Sequence, residues 1–181
     1  MPADIAATSD GQFLRRNSST LGFGAIITDD LPAGTLLNSV FAESNSEYTI
    51  TAVIPFDNTI PQITEGTQII SATITPTKTT SKIVGLLSLN GDATDTTVQT
   101  VVAAFRGTTA NAIAATWVRY IAYSSLVSFQ FTDLPNTTSA TTYSIRVGPD
   151  QKSLYINRTN TGALLGTSNK VTLMLLEINP T

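Results

Sequence analysis

The stretch Ile54-Pro-Phe-Asp-Asn-Thr-Ile-Pro-Gln-Ile-Thr-Glu-Gly-Thr-Gln68 decides how this chain folds. Each of its two prolines lacks an N–H and pushes the residue before it toward extended geometry. An Asp-Asn pair and a Glu-Gly pair add turn chemistry. Such a stretch cannot be helix. With β-like segments on both sides, it predicts a long, rigid, extended connection across the top or edge of a β-sandwich.

Working outward, the pattern from Thr35 onward is β. Strands are predicted over 36–42, 48–54, 67–75, 82–89, 97–105, 112–123, 126–132, 142–147, 153–157 and 170–178. Val101, Ala103 and Phe105 alternate onto one face, as do Val127, Phe129 and Phe131, and Tyr143, Ile145 and Val147. Turn signals separate the runs at Asn90-Gly91, Leu134-Pro-Asn136, Gly148-Pro-Asp150 and Asn160-Thr-Gly162. The segment 109–115 allows a helical turn but reads better as strand plus loop. The last apolar run, 171–176, lacks alternation. It predicts a strand buried on both faces, one toward the core and one toward a neighbouring subunit. Many short strands with regular turns indicate a sandwich or jelly roll.

Residues 1–35 differ. They carry Phe13, Leu14, Leu21, Phe23 and Ile26 without sustained periodicity, and Asp29-Asp-Leu-Pro-Ala-Gly34 closes the segment as a turn or linker. Alone, this arm cannot bury its apolar residues, so it needs a partner surface.

Composition narrows the function classes. The 181 residues suffice for one core, or a core with a short arm. Charged residues are 13 %, about half the usual share. Thr and Ser carry the polar surface instead, which suits a protein made to sit in an assembly. The net charge of −3 and scattered Lys and Arg argue against nucleic acid, which needs clustered positive charge. The N-terminus lacks the basic and apolar regions of a signal peptide, and no apolar run has the length of a membrane span. The expectation is a cytosolically made protein without membrane insertion. The sequons at Asn17, Asn136 and Asn157 carry no weight without secretion.

Histidine and cysteine are both absent. This removes Ser-His-Asp and Cys-His catalysis and every ordinary zinc site except an all-oxygen one. The carboxylates lie mostly in turn contexts, where Asp serves the backbone. Asn90-Gly-Asp-Ala-Thr-Asp95 offers oxygens, but its spacing departs from a calcium loop. No enzyme, cofactor or metal is expected. Arg106, Arg146 and Glu177 stand inside predicted strands, where they face solvent or pair across a subunit interface. Trp117, Tyr120, Tyr123 and Tyr155 fill a core or interface, or stack on sugars.

Thr142-Tyr-Ser-Ile-Arg-Val-Gly-Pro149, Leu154-Tyr-Ile-Asn157, Gly162-Ala-Leu-Leu-Gly166 and Leu175-Leu-Glu-Ile178 form a second signature. Between it and the opening stretch lies Ala104-Phe-Arg-Gly-Thr-Thr-Ala-Asn-Ala-Ile-Ala-Ala115. In this order the motifs resemble a small β-sandwich module of tailed-bacteriophage fibres and head appendages, over about 54–178. The resemblance implies a virion protein, assembled in the host cytoplasm and displayed as a homotrimer. It supplies no receptor residues. Shaft repeats and coiled-coil heptads are missing, so a short appendage fits better than a long fibre.

The expectation is therefore an all-β chain. A jelly-roll-like antiparallel sandwich over 36–181 follows an anchoring arm over 1–35 and forms a homotrimer. Its role is that of a non-enzymatic short fibre or spike. The arm contacts other virion proteins and the head meets a host-surface glycan. A capsid decoration protein and a carbohydrate-binding module are the alternatives.

Overall fold

A computed structural model of the chain describes residues 13–17, 20–24, 27, 30–119 and 125–180, with side chains omitted for 13–24 and Thr167. Among the described residues there is no α-helix. A short hairpin joins β1 (Phe13–Asn17) to β2 (Thr20–Gly24). The body follows as β3 (Leu36–Ser44), β4 (Tyr48–Ile50), β5 (Thr67–Ile74), β6 (Lys82–Ala93), β7 (Gln99–Arg106) and β8 (Ala114–Arg119). It continues with β9 (Ser125–Asp133), β10 (Thr141–Pro149), β11 (Leu154–Ile156), β12 (Arg158–Thr159), β13 (Gly162–Ala163) and β14 (Val171–Ile178).

The register resolves these strands into two sheets of four columns. Gly91 of β6 pairs with Ser125 of β9 and with Ile156 of β11, so β9 and β11 lie on opposite edges of β6. Ser88 pairs with Ser128 of β9 and Thr172 of β14. β14 and β11 therefore run end to end along one edge of β6. Beyond them β3 pairs with β14 and β4 with β11. The second sheet has the order β5-β10-β7-β8. The chain passes between the two sheets in the manner of a jelly roll. All pairings are antiparallel, as the sequence pattern implies.

Asn157 seals the joint where β11 gives way to the β12–β13 insertion. Its Nδ2 donates to the carbonyls of Ser44 (3.1 Å) and Ser46 (3.0 Å), bridging the break between β3 and β4.

Between the sheets lies one core, built from alternating residues such as Ile83, Leu87, Leu89, Phe129, Phe131, Tyr143, Ile145, Leu173 and Leu175. Phe131 sits between Phe129 (6.1 Å between centroids) and Tyr143 (5.7 Å). Its ring covers Gly85, its cross-strand partner, where any Cβ would overlap the ring. The Tyr143 hydroxyl donates to Asp133 Oδ2 at 2.8 Å.

Burial pushes the Tyr143 phenol well above its ordinary 10.0, and the bond to the Asp133 carboxylate raises it further. The unfolded chain gives up this proton first, near pH 10. Stability from Tyr143 is present below that pH and is lost as pH rises above it. In an alkaline titration, the last tyrosinate absorbance should appear together with loss of the β circular dichroism. A complete tyrosinate signal from a folded protein would contradict this.

Two sequence expectations change. Asn90-Gly91 is not a turn. Both residues lie within β6, which runs on to Ala93 because partners hold both of its edges there. The opening stretch crosses neither top nor edge; it lies over the outer face of the second sheet. Ile54 is fully buried against Val101, Ala103 and Phe105, whose side chains point away from the main core. β7 is thus buried on both faces within the chain, while β14 turns Val171, Leu173 and Leu175 to the core and its other face outward, where the sequence expects a neighbouring subunit.

Candidate functional site

The loop over β7 is held by its own turn chemistry and by Arg146. The Glu65 carboxylate accepts from the Gln62 amide at 2.9 Å, and Ile63 N donates to Ala110 O at 2.8 Å. Gly66 takes φ +57°, and a Cβ there would strike Ile54 and the Val147 carbonyl. The Arg146 guanidinium donates from Nε to Glu65 O (2.6 Å) and from Nη2 to Gly66 O (2.9 Å). Its planar fork thus satisfies two loop carbonyls.

This anchored loop projects Phe56 over the edge strand β8, where its ring meets Trp117 at 4.9 Å between centroids and a 56° tilt. Phe56 stays 47 % exposed and Trp117 56 %. The two rings wall a notch of about 150 Å³, whose polar lining includes Asp57, Thr59 and Thr116. Asp57 Oδ1 accepts from the amide (2.8 Å) and hydroxyl (2.5 Å) of Thr59. These bonds hold its carboxyl below the usual carboxylate range, so it is charged at neutral pH.

A second surface lies on the far side of the molecule, on the outer face of the first sheet. Met174 pairs with Phe41 on one side and Leu86 on the other. Phe41 is 56 % exposed, Leu86 37 % and Met174 36 %. Leu176 and Val84 pair directly beside them, and Ile178 pairs with Leu36. Seven apolar positions on three adjacent strands thus cluster on one outer face. Single exposed apolar residues are ordinary, but a contiguous set marks an interaction surface.

The three strand charges serve other ends than an Arg–Glu177 pair. Arg106 Nη1 bonds both oxygens of Asp133 (3.2 and 3.0 Å) and the Leu134 carbonyl, tying β7 to the end of β9. Arg146 clamps the loop. Glu177 is fully buried on the core side of β14 and faces neither water nor an arginine. Its Oε1 accepts from Thr77 N (2.7 Å), Thr77 Oγ1 (2.7 Å) and Ser81 Oγ (2.6 Å), binding the β5–β6 connection to the last strand. The period-2 register places residue 177 with Leu173 and Leu175, which sets its side chain inward.

The aromatic candidates do not form one platform. Trp117 lies on β8 in the second sheet. Tyr155 lies on β11 in the first, partly buried, with the Arg158 guanidinium 5.7 Å from its ring centroid. Tyr120, Tyr123 and the arm's Ile26 lie outside the described residues. Phe13, Leu14, Leu21 and Phe23 fall in the β1–β2 hairpin, where Leu14 pairs with Phe23. Sequence reasoning missed Phe56, although a large aromatic in a proline-bounded loop was the available signal. Among the described residues, no cluster of three or more His, Cys, Asp or Glu could hold a metal ion.

No family model matches the chain, and no curated protein matches it either. Among solved structures, the Gx strain of infectious bursal disease virus is similar at a TM-score of 0.38 and 11 % identity, over 93 % of this chain and 41 % of that one. The VP2 subviral particle of infectious bursal disease virus is similar at a TM-score of 0.32 and 10 % identity, over 92 % of this chain and 43 % of that one. The chain spans about two-fifths of the length of these neighbours.

Proposed function

We propose that this chain is a non-enzymatic structural component of a bacteriophage virion, a short fibre or spike that assembles as a homotrimer. The arm over 1–35 anchors it to other virion proteins, and the jelly roll over 36–181 is displayed toward the host surface. The single observation that carries this reading is the apolar outer face built on Phe41, Met174 and Leu86. A jelly roll has a solvated outer face unless something covers it, and this face has the composition of an interface core. The occupant is a second copy of the chain, because with only 13 % charged residues the surface has little charge to keep copies apart. Motifs resembling phage appendages support the virion setting. The absence of His and Cys, with acidic residues spent on turns and strand ties, supports a non-catalytic role.

Sedimentation of the full chain at micromolar concentration should show three copies, and a stable monomer would overturn the assembly. A chain beginning at Thr35 should fold and trimerise but fail to enter particles. Normal incorporation of that chain would remove the anchoring role from the arm. Arms splayed over capsid subunits in a density map of the particle would favour the decoration reading instead.

A further inference from the structure

We propose that the notch between Phe56 and Trp117 binds a saccharide, one sugar ring seated on the indole face with its hydroxyls turned to Asp57. This inference deepens the host-adhesion part of the reading above. The Phe56 and Trp117 rings touch, at 4.9 Å between centroids. Here both remain about half exposed, at 47 % and 56 %, although Ile54 on the same loop is fully buried. The loop is anchored by Ile54 and Arg146 besides this ring contact, and both rings keep surface open to solvent.

The chemistry of the notch matches a sugar. A pyranose presents C–H bonds on one face and hydroxyls around its rim. The C–H bonds carry partial positive charge and meet the negative π-face of an indole. The 56° tilt between the rings makes a V, with one wall under the sugar and the other at its side. At the rim, Asp57 is fixed in its charged form by Thr59. Its Oδ2 makes no hydrogen bond among the described residues, so it is open to accept from a sugar hydroxyl. Thr116 adds a hydroxyl to the same lining. No Lys or Arg lines the notch, which argues against a phosphate or other anion. At about 150 Å³ the notch lies below the roughly 300–1,000 Å³ of drug-sized sites and suits one ring.

Trp117 is the only tryptophan in the chain, so indole emission reports this site alone. The test titrates the full chain with methyl glycosides of glucose, galactose, rhamnose and N-acetylglucosamine up to tens of millimolar, following that emission. At least one glycoside should produce a saturable shift. Asp57→Asn, which leaves the fold's contacts in place, should weaken that binding by about tenfold. Phe56→Ala should do the same. Trp117→Ala, followed by calorimetry, should abolish it. No response to any glycoside overturns the proposal, as does a response unchanged in both Asp57→Asn and Phe56→Ala. If Phe56→Ala loses its β circular dichroism, Asp57→Asn alone decides. Sedimentation of the same samples separates the two readings. A trimer that binds no sugar sinks only the notch, and a sugar-binding monomer sinks only the assembly.

Discussion

Met174→Glu should turn the assembled protein into a folded monomer. Met174 sits at the centre of the outer apolar face, with Phe41 and Leu86 as direct cross-strand neighbours. Its side chain points away from the core, which β14 serves through Val171, Leu173 and Leu175. In an isolated chain, a carboxylate here stands in water and changes stability by only about 0.5 kcal/mol. In the proposed assembly the same carboxylate would lose its water against apolar surface. That desolvation costs on the order of several kcal/mol per copy, enough to dissociate the complex at micromolar concentration. Sedimentation should show one copy, with unchanged far-ultraviolet circular dichroism. A Met174→Glu chain that remains trimeric would mean that this face looks at water and that copies meet elsewhere.

Phe131→Ala should be the most damaging truncation inside the sandwich, costing about 3–5 kcal/mol. The ring is 3 % exposed and bridges the sheets between Phe129 and Tyr143. It also lies over Gly85, its cross-strand partner, which has no side chain of its own to fill the space it vacates. The resulting cavity would sit beside the Tyr143 hydroxyl, whose bond to Asp133 joins Arg106 in holding β7, β9 and β10 together. Urea unfolding should show a lower midpoint with a similar slope. A loss below about 1 kcal/mol would show that the core refills the site.

The strands were legible because this chain obeys period-2 alternation wherever one face meets the core. β5, β9 and β10 fall where Ile69–Ile74, Val127–Phe131 and Tyr143–Val147 alternate or run apolar. Asn90-Gly91 misled because a local turn signal was overridden by ladder partners on both edges of β6, and those partners are distant in sequence. For the final strand, the apolar run alone does not say which residues take which face. Its unbroken apolar run is real, but only the sheet register shows that Leu173 and Leu175 meet the core while Met174 and Leu176 face outward.

The interaction surfaces were legible only in part. Trp117 could be singled out as an aromatic of unknown use, but its partner Phe56 is 61 residues away along the chain. Nothing local couples a proline-bounded loop to the strand it will cover. Glu177 was visible as a charge among apolar neighbours, yet the donors that satisfy its carboxylate inside, Thr77 and Ser81, lie about a hundred residues earlier.

By itself, the sequence determined the class of the molecule. Alternation, turn residues and two loop prolines leave only an antiparallel β architecture, and the absence of His and Cys removes Ser-His-Asp and Cys-His catalysis and zinc sites built on those residues. These are properties of local backbone preference and of side-chain inventory, which need no knowledge of neighbours. Which residues meet was decided only by the tertiary structure. The order of columns around β6, the outer apolar face and the Phe56–Trp117 notch all arise from pairings between distant segments. A strand's two faces are equivalent until its partners assign one to the core and the other to the world outside.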